Sequence, residues 1–114
     1  MTIKLKQEKN KALNKDVNKI ITQIKKGYKP EKIILFGSFA CGKPKENSDV
    51  DLVVIKETRE RPFQRMMKTA KIVKSPLGAD ILIYTPKEWA TALKEQNFFI
   101  EEIAKKGKTV YVRE

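Results

Sequence analysis

Two neighbouring stretches decide how this chain is read: Leu35-Phe36-Gly37-Ser38-Phe39-Ala40-Cys41-Gly42 and Asn47-Ser48-Asp49-Val50-Asp51-Leu52-Val53-Val54. After Lys32, the run Ile33 to Phe36 is continuously apolar, rich in β-branched residues and closed by Gly37, which predicts a buried strand. Val50 to Ile55 predicts a second strand. Residues 42–48 combine Gly, Pro, Asn and charges and predict a loop. Side chains alternate along a strand, so Asp49 and Asp51 are expected on one face, their Cα atoms roughly 6–7 Å apart. Two carboxylates so placed repel each other unless a cation lies between them. Magnesium favours oxygen ligands and takes one or two carboxylates together with substrate phosphates.

Moving outward, residues 5–27 predict a helix whose apolar stripe is Leu13, Val17, Ile20, Ile21 and Ile24, with Gly27 as its stop and Pro30 barring continuation. A short helix is expected after the first strand. Residues 60–73 predict a helix with Pro62 in its first turn. Ser75-Pro76-Leu77-Gly78 reads as a turn and Ala79 to Tyr84 as a third strand. Thr85-Pro86-Lys87-Glu88 has the pattern of a capping box with Pro at the first helical position. Asn97 to Lys106 predicts a further helix closed by Gly107, and 109–112 a terminal strand. The fold class is therefore α/β (α+β), a small mixed sheet with helices packed on it.

Aspartate is uncommon in strands, and Asp80 opens the third one. If that strand lies beside the second, Asp80 joins Asp49 and Asp51. Three carboxylates can hold two metal ions about 3.5–4 Å apart, which suits in-line displacement at phosphorus. Gly37-Ser38, ending a strand and feeding a helix, would offer backbone N–H groups and a hydroxyl to phosphate. Lys43 and Lys45 follow within reach of phosphate charge. The segment is not a Walker A loop, because Pro44 follows Gly42-Lys43 and the preceding spacing differs. Each piece has a plainer reading: Gly-Ser as an ordinary turn, Asp-x-Asp as a solvated strand start, Ser48 as a capping hydroxyl. Cys41 reads as a small packing residue. Trp89, Phe98 and Phe99 read as core or interface anchors.

Bulk composition narrows the chemistry. The chain has 114 residues, enough for one domain, 1–114, with a basic first helix (1–27), a central part (32–84) and C-terminal helices (85–114). It has no histidine and one cysteine. This excludes Ser-His-Asp and Cys-His catalysis, histidine-based zinc sites and any internal disulfide. The formal charge is +11, and residues 1–32 hold ten lysines against Glu8, Asp16 and Glu31, a net of +7. Such an excess attracts polyanions, nucleotides and nucleic acid included, although a solvated lysine face is the plainer account. With no secretory h-region and no apolar run near 20 residues, a cytoplasmic location without membrane association is expected.

Taken together, an apolar strand, Gly37-Ser38, Gly42, Ser48-Asp49-Val50-Asp51-Leu52 and the later Asp80 resemble the minimal nucleotidyltransferases of bacteria and archaea. These form a branch of the superfamily that includes DNA polymerase beta and kanamycin nucleotidyltransferase. The resemblance runs from about Lys32 to Tyr84, and more loosely through Thr85–Trp89 and Ile103–Gly107. It implies a polymerase beta-like palm fold and transfer of a nucleoside monophosphate, AMP from ATP above all, to a hydroxyl acceptor. It implies that Gly37 and Ser38, with Lys43 and Ser48 nearby, bind the triphosphate of ATP or another NTP. It implies that Asp49, Asp51 and Asp80 hold one or two Mg2+ ions, with Asp80 helping to deprotonate the acceptor. Small members of the family often act as antitoxins paired with a HEPN-type toxin, some by adenylylating a toxin tyrosine. The resemblance thus implies the nucleotide and such a toxin as partners; a second copy of the chain is a further candidate, and nucleic acid, suggested by the lysine-rich first helix, ranks lowest. Family members commonly carry Arg where this chain has Cys41. Lys43 is the candidate substitute, a point charge in place of a bidentate fork. That departure motivates the alternative of a partner-binding antitoxin with a vestigial catalytic site.

Overall fold

The structure is a computed structural model that describes residues 2–44 and 48–114, with side chains from Asn14 onward. Leu13 in the predicted stripe, and Lys45 and Asn47 in the predicted loop, lie outside the described residues or side chains. The elements run α1 (Thr2–Tyr28), β1 (Lys32–Phe36), β2 (Val50–Ile55), α2 (Pro62–Ile72), β3 (Ala79–Tyr84), α3 (Pro86–Lys94), α4 (Phe98–Lys106) and β4 (Lys108–Val112). The strands form one mixed sheet in the order β3-β2-β1-β4. β1 is antiparallel to β2 and to β4, the latter with a register irregularity between Ile33 and Ile34, and β2 is parallel to β3. A parallel neighbour needs a crossover, and α2 supplies it.

Strand alternation divides the core into two layers. Ile33 and Leu35 of β1 join Val50, Leu52 and Val54 of β2 against Val17, Ile20, Ile24 and Tyr28 of α1, with Ile72 of α2 alongside. The opposite face gathers Ile34, Val53 and Ile55 against Ile103 of α4, with Phe36, Leu82, Tyr84 and Trp89 around them. β1 and β2 are covered on both faces, which is why Ile33–Phe36 and Leu52–Ile55 read as continuous apolar runs. Among the described residues no helix is long and apolar enough to cross a membrane.

Two sequence expectations are corrected. Gly27 does not stop α1; the helix continues through Tyr28, and the chain turns at Lys29 with φ of 54° before Pro30. Gly27 instead lets α2 approach, since a Cβ there would lie 2.8 Å from Ile72 Cγ2. The short helix expected after β1 is only a hydrogen-bonded turn. The amides of Ala40 and Cys41 donate to the Gly37 carbonyl, and that of Lys43 to Ser38. Gly42, with φ of 74°, and then Pro44 end it after one turn.

The capping box at Thr85 is present: Glu88 N–H donates to Thr85 Oγ1 at 3.1 Å, and Thr85 N–H to Glu88 Oε1 at 2.8 Å. The same Glu88 carboxylate meets a side chain that sequence reading did not single out, Arg65 of α2. The Arg65 guanidinium donates to Glu88 at 2.7 and 3.3 Å, and its Nε–H donates to the Glu60 carbonyl at 2.8 Å. It also reaches the Ile83 carbonyl of β3 at 3.4 Å. One buried cation thus ties α2 to β3 and to the start of α3.

Candidate active site

Phe36 ends β1, and the first residues of β2 and β3 lie at the same end of the sheet. In register, Phe36 pairs with Asp51, and Asp51 pairs across the parallel ladder with Asp80. Paired residues on neighbouring strands project to the same face, so Asp51 and Asp80 stand side by side beyond Val53 and Leu82. Asp49 lies one residue before β2, not within it, and is exposed; Asp51 is half-buried and Asp80 exposed.

Glycines bring the backbone close to two of these acids. Gly37 has φ of 75°, the left-handed region that costs glycine little, and a Cβ there would overlap Asp51 Oδ2. Gly78 precedes β3, and its carbonyl accepts from Val50 N–H at 2.8 Å. A Cβ on Gly78 would overlap Asp49 Oδ1. Gly78 reads from sequence as a turn glycine; its contact with Asp49 exists only through the β2–β3 pairing.

The Asp51 carboxyl is held above the usual carboxylate range, first by burial, then by the negative charges of Asp80 and Asp49. Among the described residues none of the three acids has a salt-bridge or hydrogen-bond partner. Nor do any three Asp, Glu, Cys or His side chains among them converge into a ready-made metal cage. The paired Asp51 and Asp80, with Asp49 near enough to act on Asp51 by its charge, are oxygen donors of the kind a hard divalent cation takes.

On the other side of Asp51, the Gly37–Lys43 turn leaves the amides of Ser38 and Phe39 without a described acceptor. Lys43 and Cys41 are exposed, and Cys41 Sγ–H donates to the Ser38 carbonyl at 3.4 Å. Ser48 is half-buried just before Asp49. A cleft of about 680 Å3 opens beside Asp51 and Asp80 between α2 and β3, walled by Phe36, Met66, Leu77 and Phe99. Phe99 stands edge-on to Phe36, ring centroids 6.0 Å apart, and remains half exposed, while Phe98 is 76% exposed. Trp89 packs against Tyr84 at 5.8 Å. Of the three predicted aromatic anchors, Trp89 packs on Tyr84 and Phe99 on Phe36, Phe99 with half its surface exposed, while Phe98 looks outward.

Residues 18–114 match the family model described as Polymerase beta, Nucleotidyltransferase. The chain belongs to that family, as a minimal nucleotidyltransferase domain with the polymerase beta-like fold. Two solved structures share the fold. One is from Sulfolobus solfataricus, described as a candidate nucleotidyltransferase, with a TM-score of 0.60 and 16% identity over 93% of this chain and 86% of that one. The other is described as a toxin-antitoxin with AMP-PNP, with a TM-score of 0.58 and 23% identity over 85% of this chain and 73% of that one. No curated protein sequence matches significantly.

Proposed function

We propose that the whole chain, 1–114, acts as one magnesium-dependent nucleotidyltransferase domain in the cytoplasm, moving AMP from ATP to a hydroxyl on a partner protein. The observation that carries this reading is the pairing of Asp51 with Asp80 next to the Gly37 turn, with Asp49 alongside. Asp49, Asp51 and Asp80 would hold the magnesium, which when bound neutralises charge on the phosphates and favours displacement at phosphorus. The Ser38 hydroxyl and the free amides of Ser38 and Phe39 bind phosphate oxygens, with Ser48 and Lys43 at the margin. Asp80 takes the acceptor's proton. The acceptor oxygen then bonds to the α-phosphorus as its bond to the bridging oxygen breaks, and pyrophosphate leaves. The neighbour described as a toxin-antitoxin with AMP-PNP favours a protein acceptor, a toxin of HEPN type, as the partner.

Incubation with magnesium and each nucleoside triphosphate tests the binding half. At a hundredfold excess over Kd, linkage adds about 2.7 kcal/mol to stability, seen as a raised melting temperature. No shift with any nucleotide would sink this reading. Mass spectrometry of the co-expressed partner tests transfer, as an added nucleotide mass on a hydroxyl residue.

A second reading, an antitoxin that occludes its partner through a vestigial site, is motivated by Cys41. It expects neutralisation of the partner to survive Asp49→Ala, whereas the enzymatic reading expects that variant to lose it.

Gly78→Ala separates the carboxylate's placement from its presence. The added methyl displaces the Asp49 carboxylate while leaving its charge. Turnover is expected to fall roughly tenfold, with less than about 1 kcal/mol lost in stability. Rates and a urea midpoint on the same preparation check it; unchanged turnover would show that Asp49 need not rest against Gly78.

A further inference from the structure

Outside the acidic cleft, a second groove of about 350 Å3 runs between the Gly37 turn and α4, with Gly37, Cys41, Phe99, Glu102 and Lys106 among its lining. Much of its wall is apolar, with Phe36, Ala40 and Ile103 completing it. Lys106 is the one cationic side chain among its described lining residues, and it is tied to Glu102, one turn earlier on α4, at 2.9 Å. The Lys106 side chain is 80% exposed, so it can swing without disturbing the core.

We propose that Lys106 is a second cation, beside Lys43, that grips the nucleotide's phosphates at the Gly37–Ser38 turn, and that Glu102 parks it when no nucleotide is bound. This rests on the nucleotide-site reading given above. A triphosphate seated on the Ser38 and Phe39 amides brings several negative charges to a turn whose own side chain at position 41 is a neutral thiol. Lys106 comes from a separate element across the groove, which sequence spacing cannot reveal. Phosphate oxygens carry more charge than one carboxylate, so Lys106 exchanges Glu102 for the nucleotide.

The plainer role for Lys106 is to complement the carbonyl end of α4 and pair with Glu102. That role is shared with Lys105, which is in the same last turn but does not line the groove. The two roles predict different things. Under the proposal, Lys106→Ala raises the Kd for magnesium-ATP about tenfold, while Lys105→Ala leaves it within twofold. Lys106→Arg keeps near-native affinity. Glu102→Gln tightens binding about threefold, because it frees the lysine and removes a competing anion. Cys41→Arg in the Lys106→Ala background restores affinity from the opposite wall of the groove.

Isothermal titration of the full chain with magnesium and a non-hydrolysable ATP analogue reads all five variants, with thermal melts to confirm folding. If the wild-type chain binds and Lys106→Ala binds equally well, the proposal fails and the nucleotide-site reading stands. Equal losses in the Lys105 and Lys106 variants also overturn it, as a general charge effect. If the wild-type chain binds no nucleotide, both fail together.

Discussion

Asp51→Asn is expected to fold, to melt slightly higher than the wild type without ligand, and to lose nucleotidyl transfer by on the order of a thousandfold or more. The two effects have one cause. Asp51 faces Asp80 directly across the parallel ladder, with Asp49 close enough to add to the repulsion. Like charges opposite one another on adjacent strands cost roughly 0.2–1 kcal/mol, and the amide removes that cost at nearly constant shape. On the proposed reading, the same substitution leaves the cluster one carboxylate short of the set that would hold a divalent cation. Melting temperatures with and without magnesium-ATP, beside a transfer assay, check both halves. The wild type should gain stability from magnesium-ATP and the variant should not. A variant that transfers normally would remove Asp51 from the site; one that melts lower would show that its carboxylate serves the fold.

The largest loss of stability is expected at Arg65. Its side chain is 6% exposed and donates to Glu60, Ile83 and both carboxylate oxygens of Glu88. Arg65→Ala removes these bonds and opens a gap among α2, β3 and α3. The expected cost is about 2–4 kcal/mol, or a fall in melting temperature on the order of 10 °C. Arg65→Lys should recover only part, since an ammonium cannot reproduce the fork. Glu88→Gln keeps one acceptor oxygen but removes the charge and the second oxygen that the buried Arg65 guanidinium meets, at a cost of about 1–3 kcal/mol.

The pair also sets an acid dependence. Glu88 is held below the usual carboxylate range, first by its hydrogen bond from Arg65. Between its folded and unfolded values the unfolded chain binds more protons, so stability rises with pH there. The contribution is present above the ordinary glutamate range and is lost as pH falls through the lowered value. Because the Glu88 side chain is 44% exposed, solvent screening keeps the effect modest. Urea midpoints measured through the acid range should show a shallower acid limb in Glu88→Gln than in the wild type. Parallel limbs would mean that the ion pair adds nothing to folding.

Since α2 also walls the cleft beside Asp80, loosening Arg65 is expected to raise KM more than it lowers kcat.

Local rules were enough to read several features directly from the chain. The apolar runs Ile33–Phe36 and Leu52–Ile55 marked β1 and β2 because those residues are covered on both faces of the sheet. The Thr85–Glu88 capping box and the span of β3 were equally legible, since a cap and a short strand depend on residues a few positions apart. The acids at 49, 51 and 80 stood out because carboxylates beside apolar strands are unusual. Sequence also misplaced the end of α1 and overextended the turn after β1, where backbone conformation at Lys29 and Gly42 decided the outcome.

Only the tertiary structure could decide which distant residues meet. The β2–β3 register, fixed by backbone hydrogen bonds between residues 29 apart in number, set Asp80 against Asp51 and Gly78 against Asp49. Packing of α2 made Arg65 a buried latch, although in the sequence it is one basic residue on a basic helix. The approach of α4 to the Gly37 turn put Lys106 in the groove with Cys41. Periodicity and capping report interactions within a turn or a strand, whereas contacts between elements depend on how their apolar faces pack in three dimensions.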